Sequence, residues 1–470
     1  MKHRTILPHH RFTPDQIRDL LESIGPNMEI ILTFAEKSPP KQFDALEREF
    51  PNLKIESVRK NGSILNASKH KDVDVGGIIE DILNDSSTAL IWERSIKSAR
   101  SGLRRIFTGN RESFLKASGW ISTQVLDSIA KFRKTEVTFL VFASTPHTIG
   151  SWVGAKTAMA LGIKVFVLER APVPGFWRIT SGLSLVRENL LFENREQPAI
   201  ELYKRRRDCL ISRLRKSYDE AIPDYEKKRI EKNAGKVFSL WNTAKKNWYA
   251  PSRTVNAINC WRTLNSLCLG NTSPVQNQYA VFFLHYQPER TTVPDGGVFG
   301  NQLSAIVLLR RVLPRGIQLL VREHPSTFSN NCDPFARDPD YYRRVDRMDG
   351  VNWISNSVDT FELLDGARLA ATITGTVALE AVARGVPAVC FGRPILQEAK
   401  WLQQYTDEKS LQCYIEEVTA DGFSKQCVAD SLEEALNSEF NRSYNADSST
   451  EEGKKIEAIK QLAMDGVLAG

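Results

Sequence analysis

The segment IQLLVREHPSTF (317–328) runs an apolar stretch of strand length straight into Arg322-Glu323-His324-Pro325. Proline fixes the backbone after His324 and removes a donor, so the imidazole is set at the end of the strand. There it suits donation to a phosphate oxygen, or protonation of a leaving phosphate, near neutral pH. Arg322 and Arg343 can add charge-assisted bonds to the same anion. With 7 His and 21 Pro among 470 residues, an HP dipeptide is expected roughly 0.3 times by chance. The chemistry therefore rests on the strand that precedes it, and a purely structural histidine stays open.

LAATITGTVALEAVARGVPAVCFG (369–392) is a buried-strand pattern, a tight turn at Thr374-Gly375-Thr376 and a helix of small residues closed by Gly385-Val386-Pro387. Unpaired N–H groups and the positive dipole end at such a helix start suit a phosphate. Gly375 has no side chain to obstruct that approach. Glu380, one turn further, is placed to accept from ribose hydroxyls. An ordinary strand–turn–helix with a capping threonine fits these residues equally well.

FFLHYQPERTTVPDGG (282–297) follows the first strand of the C-terminal half. In a doubly wound sheet this first loop faces the ligand, and Gln287, Glu289 and Thr291 would line it. Gly296-Gly297 either lets backbone amides approach an anion or simply turns the chain. In the N-terminal half, FASTPHTIGSW (142–152) puts His147 in the loop after the strongest strand signal.

Elements that can hold these residues are legible in the periodicity. TPDQIRDLLESIG has helical spacing, while MEIILTF, LKIESV, ALIWE, EVTFLVFAS and IKVFVLE read as strands separated by helical segments. From about 181 to 275 the pattern is helical and basic, with Leu210, Leu214 and Tyr218 on one face. NTSPVQNQ (271–278) reads as a linker. The strand–helix alternation then restarts with YAVFFL and continues through PAVCFG, with helices to the C-terminus. The expected organisation is α/β, with two Rossmann-like doubly wound domains facing a cleft and a helical connecting segment. Domain boundaries are expected at 1–180, 181–275 and 276–440, with a C-terminal helix over 441–470.

Composition excludes several classes. Hydrophobic residues at 41% and charged residues at 25% match a soluble globular chain. No apolar run approaches membrane-spanning length, and MKHRTILPHHRF lacks the apolar region of a secretory leader, so the expected compartment is the cytoplasm. Seven scattered cysteines without CxxC form no disulfide framework, and HExxH is absent. Asp72-Val73-Asp74 spells DxD, but between a lysine-rich loop and a helix start it does not read as a metal site. Lys+Arg 63 against Asp+Glu 56 suits an anionic ligand or an anionic membrane surface without calling for nucleic acid.

In order, QPERTT, REHP, Arg337 with Tyr341-Tyr342, TGTVALEA and GVPAVCFG resemble the bacterial capsule polysaccharide biosynthesis proteins, a group of GT-B-like glycosyltransferases. The resemblance covers 279–392 well and the rest loosely. It implies a nucleotide-sugar donor, with a CMP-sugar such as CMP-Kdo favoured over a UDP-sugar, and the lack of a DxD motif on a loop agrees with neither metal nor other cofactor being needed. It implies that His324 contacts the donor phosphate and that Gly375 and Thr376 help bind the nucleotide; read from their own segments, Gln287, Glu289, Arg322, Pro325, Thr374 and Glu380 are the further donor-binding candidates. It places a candidate catalytic carboxylate at Glu169, although Arg-Ala follows where the family has glycine or another acid. His147 and Glu169 read equally as loop structure and an ion pair. The implied acceptor is a glycan or lipid-linked glycan; the basic helical segment around 203–216 fits a solvated face or a peripheral association of a cytoplasmic protein with the membrane. A nucleotide-sugar epimerase on the same fold and a non-catalytic glycan-binding assembly subunit are the alternatives.

Overall fold

The computed structural model describes residues 3–8, 12–24, 26–34, 43–57, 72–85, 87–89, 91–92, 111–183, 188–192, 197–216, 251–269, 278–287, 289–328, 337–397, 399–446 and 450–464. The chain divides into two compact units. Unit 1 takes 1–171, 175–200 and 441–470, and unit 2 takes 172–174 and 201–440.

Unit 1 begins with β1 (His3–Pro8), α1 (Pro14–Ser23), β2 (Met28–Phe34), α2 (Asp44–Glu49) and β3 (Leu53–Ser57). It continues through α3 (Val75–Asn84), α4 (Arg111–Thr135), β4 (Phe139–Phe142), α5 (Ile149–Ala160), β5 (Lys164–Arg170), β6 (Phe176–Ser181) and β7 (Glu188–Asn189). Local sequence starts these helices. Thr13 and Gln16 form a reciprocal capping box at α1 with Pro14 at the first position, and Thr148 caps α5. β1, β2 and β3 pair in parallel, as do β4 and β5. The Thr138 N–H donates to Arg4 O at 3.0 Å, which joins the two sets at β1 and β4. β1 thus has β2 on one side and β4 on the other, the doubly wound arrangement.

Three features of unit 1 depart from the sequence expectation. β1 was not expected, because HRTILP has no apolar run and Thr5 is its fully buried polar residue. The described part of ALIWE is helical rather than strand, at residues 89, 91 and 92, while 90 and 93 lie outside the described residues. Ile91 is buried and Trp92 meets Trp120 of α4 at 5.8 Å, so these apolar side chains pack on a helix, an outcome short apolar runs leave undecided. β6 and β7 run antiparallel at the sheet edge, where only parallel strands were expected.

α6 (Gln197–Arg215) and α7 (Pro251–Leu267) lead into unit 2. Leu210 and Leu214 of α6 are buried, as the spacing required, while Tyr218 and the linker residues 271–277 lie outside the described residues. Unit 2 then runs β8 (Tyr279–Phe283), α8 (Gln302–Val312), β9 (Gln318–Arg322), α9 (Pro339–Asp346), β10 (Val351–Ile354), α10 (Thr360–Gly366), β11 (Leu369–Thr372) and α11 (Val377–Ala383). β12 (Ala388–Cys390), β13 (Leu402–Gln404), α12 (Glu408–Thr419) and α13 (Lys425–Glu439) complete it. Its six strands are all parallel, in the order β10-β9-β8-β11-β12-β13. Their near-continuous Val, Leu, Phe and Ala content is what a sheet covered on both faces requires. The chain returns to unit 1 with β14 (Tyr444–Asn445), antiparallel to β6, and α14 (Glu451–Met464), whose Ile459 and Leu462 share a core with Leu7, Ile30, Leu32 and Phe139.

α11 ends in a Schellman motif. Val386 N–H donates to Ala381 O and Gly385 N–H to Val382 O, with Gly385 at φ +77°. A Cβ on Gly385 would lie 2.6 Å from Lys425 O. Gly385→Ala is therefore expected to destabilise the protein by about 1–2 kcal/mol or more, read from the urea unfolding midpoint. An unchanged midpoint would show that this turn relaxes freely. Among the described residues no helix is long and apolar enough to cross a membrane.

Candidate functional site

The six strands of unit 2 end in one register row: Ile354, Arg322, Phe283, Thr372, Cys390 and Gln404. Residues just beyond this row form the carboxyl edge where doubly wound sheets take ligands. The strand order reverses between β8 and β11, so the loop after β8 and the turn after β11 flank the switch point.

Glu323, the first residue beyond β9, is 1% exposed. Its Oε1 accepts from His324 N–H at 2.8 Å and the Thr327 hydroxyl at 2.9 Å. Its Oε2 accepts from Arg337 Nε at 2.8 Å and the Tyr342 hydroxyl at 2.9 Å. Burial works against this carboxylate's charge, but the Arg337 charge and these hydrogen bonds hold its pKa below the ordinary range. Arg337, equally buried, donates from Nη2 to His285 O at 3.2 Å and from Nη1 to Gln287 Oε1 at 3.4 Å, with its guanidinium over the Tyr341 ring. One buried ion pair thus ties the loops after β8 and β9 together.

That carboxylate positions His324. The Ser326 N–H donates to His324 Nδ1 at 3.0 Å, so the proton of the neutral ring lies on Nε2. The half-buried ring packs beside Tyr286 at 5.1 Å between centroids, and Pro325 is exposed. An Nε2–H donor at a strand's carboxyl edge is what a phosphate oxygen requires.

On the other side of the switch point, the Thr374 N–H donates to His285 Nε2 at 3.2 Å and the Thr374 hydroxyl to Thr291 O at 2.9 Å. The Thr376 hydroxyl donates to Glu380 Oε1 at 3.4 Å rather than capping the helix. Among the described residues, the N–H groups of Gly375, Thr376 and Val377 have no protein acceptor. Gly375 is needed for a reason absent from the sequence reading: a Cβ would lie 2.8 Å from Thr372 Oγ1. Gly296 and Gly392 are close-packing glycines too, with a Cβ on either meeting a carbonyl oxygen at 2.6 Å.

Other expected residues have partners within the protein. Gln287 donates to Gly300 O at 2.6 Å. Glu289 Oε2 lies 3.3 Å from His285 Nδ1, and although burial raises its pKa, the hydrogen bond from His285 holds it below the ordinary value. Arg322 is buried against Asn356, with Nε 3.4 Å from Asn356 Oδ1. Arg343 is exposed on α9 beside Asp340. Asp72 pairs with Arg133 and Asp74 caps α3. Cys390 stands in the strand-end row, but burial pushes its thiol to about 12, so no thiolate nucleophile is present there.

His147 and Glu169 belong to unit 1. His147 Nδ1 donates to Thr145 O at 3.1 Å just before α5. Glu169, near the end of β5, faces Arg178 across the β5–β6 pair, 3.6 Å from Nη2. In unit 2, His285 and Glu323 were not singled out from the sequence. The signals were a histidine and a carboxylate four residues apart in HYQPE, and a charged residue directly ending an apolar strand.

No protein-family model matches the sequence, and no curated protein matches it. Among solved structures, the beta Kdo 2,4 transferase KpsC of Thermosulfurimonas dismutans is similar at 12% identity over 58% of this chain and 75% of that one, with a TM-score of 0.32. HepE of Anabaena in complex with UDP-glucose is similar at 10% identity over 100% of both chains, with a TM-score of 0.30. The UDP-GlcNAc 2-epimerase of Methanocaldococcus jannaschii is similar at 15% identity over 98% and 99%, with a TM-score of 0.22.

Proposed function

We propose that the protein is a glycosyltransferase of GT-B type that moves a sugar from a nucleotide-sugar donor to a surface-polysaccharide acceptor without a metal. The observation that carries this reading is the carboxyl edge of unit 2. It presents an imidazole with its proton on Nε2 and, across the switch point, a turn in which the amides of Gly375, Thr376 and Val377 have no acceptor among the described residues. His324 Nε2–H and those amides would neutralise the donor phosphates, and transfer would leave the charge on a phosphate held by the same donors. Glu380 would accept from a ribose hydroxyl. The donor is a CMP-activated acidic sugar such as CMP-Kdo, on the strength of the HP-type motif.

Unit 1 would bind the acceptor, a glycan or lipid-linked glycan. Glu169 and His147 lie at or beyond the carboxyl ends of β5 and β4, the ligand edge of its own sheet, and are the candidates for the base that activates the acceptor hydroxyl. A lipid-linked acceptor would bring the protein to the cytoplasmic membrane face.

Thermal unfolding in parallel with CMP, CDP, UMP, UDP and GDP tests the donor. A ligand at roughly 100 times its dissociation constant stabilises the folded state by about 2.7 kcal/mol. At roughly 2–4 °C per kcal/mol this is a shift of about 5–11 °C. Selective stabilisation by CMP is expected. Selective stabilisation by UDP would replace the CMP donor, and no shift with any nucleotide would overturn the nucleotide-sugar reading.

A further inference from the structure

His285 has no place in the phosphate contacts described so far, yet its ring sits where the two halves of the unit 2 sheet diverge. It follows β8, is 8% exposed, and is held through its own backbone: its N–H donates to Gln302 Oε1 at 2.8 Å and its carbonyl accepts from Gln302 Nε2 at 2.9 Å. Such a two-point clamp fixes the direction of the side chain. Across the switch point, the Thr374 N–H donates to Nε2 at 3.2 Å. A backbone N–H is a donor under all conditions, so Nε2 presents its lone pair and the ring proton lies on Nδ1. Nδ1 faces Glu289 Oε2 at 3.3 Å, the acceptor that this proton needs. Thr372 Oγ1 stands 3.2 Å from Nε2 and donates to Phe283 O at 3.0 Å. Gly375 closes over the assembly, where a Cβ would lie 3.4 Å from Nε2.

The line Glu289 carboxylate, His285 Nδ1–H, His285 Nε2, Thr374 N–H therefore runs from the loop after β8 into the turn after β11. We propose that His285, oriented by Glu289, is a positioning residue that holds the anion-binding turn Thr374–Gly375–Thr376 from behind. With the Thr374 amide drawn back onto Nε2, the next three amides have no acceptor among the described residues and remain for a ligand. This role rests on the nucleotide reading of the turn, but the latch itself exists without a ligand and can be observed without one.

Three substitutions separate the latch from simple packing. His285→Gln places an amide oxygen near the position of Nε2 and keeps an acceptor for Thr374. His285→Asn places its amide near the position of Nδ1, so it can reach Glu289 but not Thr374. His285→Leu keeps bulk and neither bond. Hydrogen exchange at the Thr374 amide of the ligand-free protein is expected to stay slow in wild type and His285→Gln. It is expected to rise roughly tenfold in His285→Asn and His285→Leu, the effect of one lost hydrogen bond. The dissociation constant for CMP or UDP, whichever stabilises the wild type, is expected to follow the same order. Nitrogen-15 histidine spectra are expected to show His285 with its proton on Nδ1. Equal exchange in all four proteins, or a proton on Nε2, overturns the proposal. Should His285→Leu fail to fold, the Gln and Asn pair decides alone. A wild type that binds no nucleotide removes the nucleotide reading, while exchange and tautomer still decide whether the latch exists.

Discussion

His324→Ala is expected to lower sugar-transfer turnover by about 10²–10⁴-fold, the usual contribution of a positioned proton donor. The same variant is expected to lose only about 1 kcal/mol of stability, because the ring is half-buried and the bond from Ser326 N–H is a single neutral hydrogen bond. The contrast between the two readouts is the test. A large fall in turnover with a small shift in unfolding midpoint places His324 on the donor phosphate. Unchanged turnover removes it from the mechanism.

Glu323→Ala is expected to do the reverse. It leaves the Arg337 guanidinium buried without its counter-charge and strips the acceptor from His324 N–H, the Thr327 hydroxyl and the Tyr342 hydroxyl. Removing one member of a buried pair costs about 3–5 kcal/mol, a fall of roughly 6–20 °C in midpoint. The pair also sets a pH dependence. The folded pKa of Glu323 lies below its unfolded value, so its contribution is fully present above about pH 4.3 and is lost as pH falls through the folded pKa. Wild-type stability should therefore fall more steeply on acidification below that pH than the stability of Glu323→Gln. Parallel pH profiles in the two proteins would show that Glu323 does not carry this charge in the folded state.

These two adjacent residues show how unevenly the site was legible. His324 stood out because proline follows it and an apolar strand precedes it, both local facts. Glu323 did not, because nothing local marks it as buried: its four donors come from the chain beside it and from Arg337 and Tyr342, 14 and 19 residues away. Gly375 stands out in the sequence as a residue that leaves a phosphate room to approach; the structure adds a second demand, because a Cβ there would lie 2.8 Å from Thr372 Oγ1 at the end of the strand. Arg322 was expected at the phosphate, and the structure buries it against Asn356 at the end of the neighbouring strand.

Local sequence did not reveal β1 or β13 or the helical state of residues 91–92, but in unit 2 it determined strands β8 to β12, their alternation with helices and the loops that carry His324, Thr374–Thr376 and Glu289. Those follow from local rules: strand runs of β-branched and aromatic residues, helix caps, and glycine or proline at the turns. Register, strand order and burial were decided only by the tertiary structure. They align six strand ends in one row, bring His285 onto the Thr374 amide from 89 residues away, and close Glu323 onto Arg337. The physical reason is that a side chain's partner across a sheet is fixed by pairing and packing between distant segments, which no local pattern encodes.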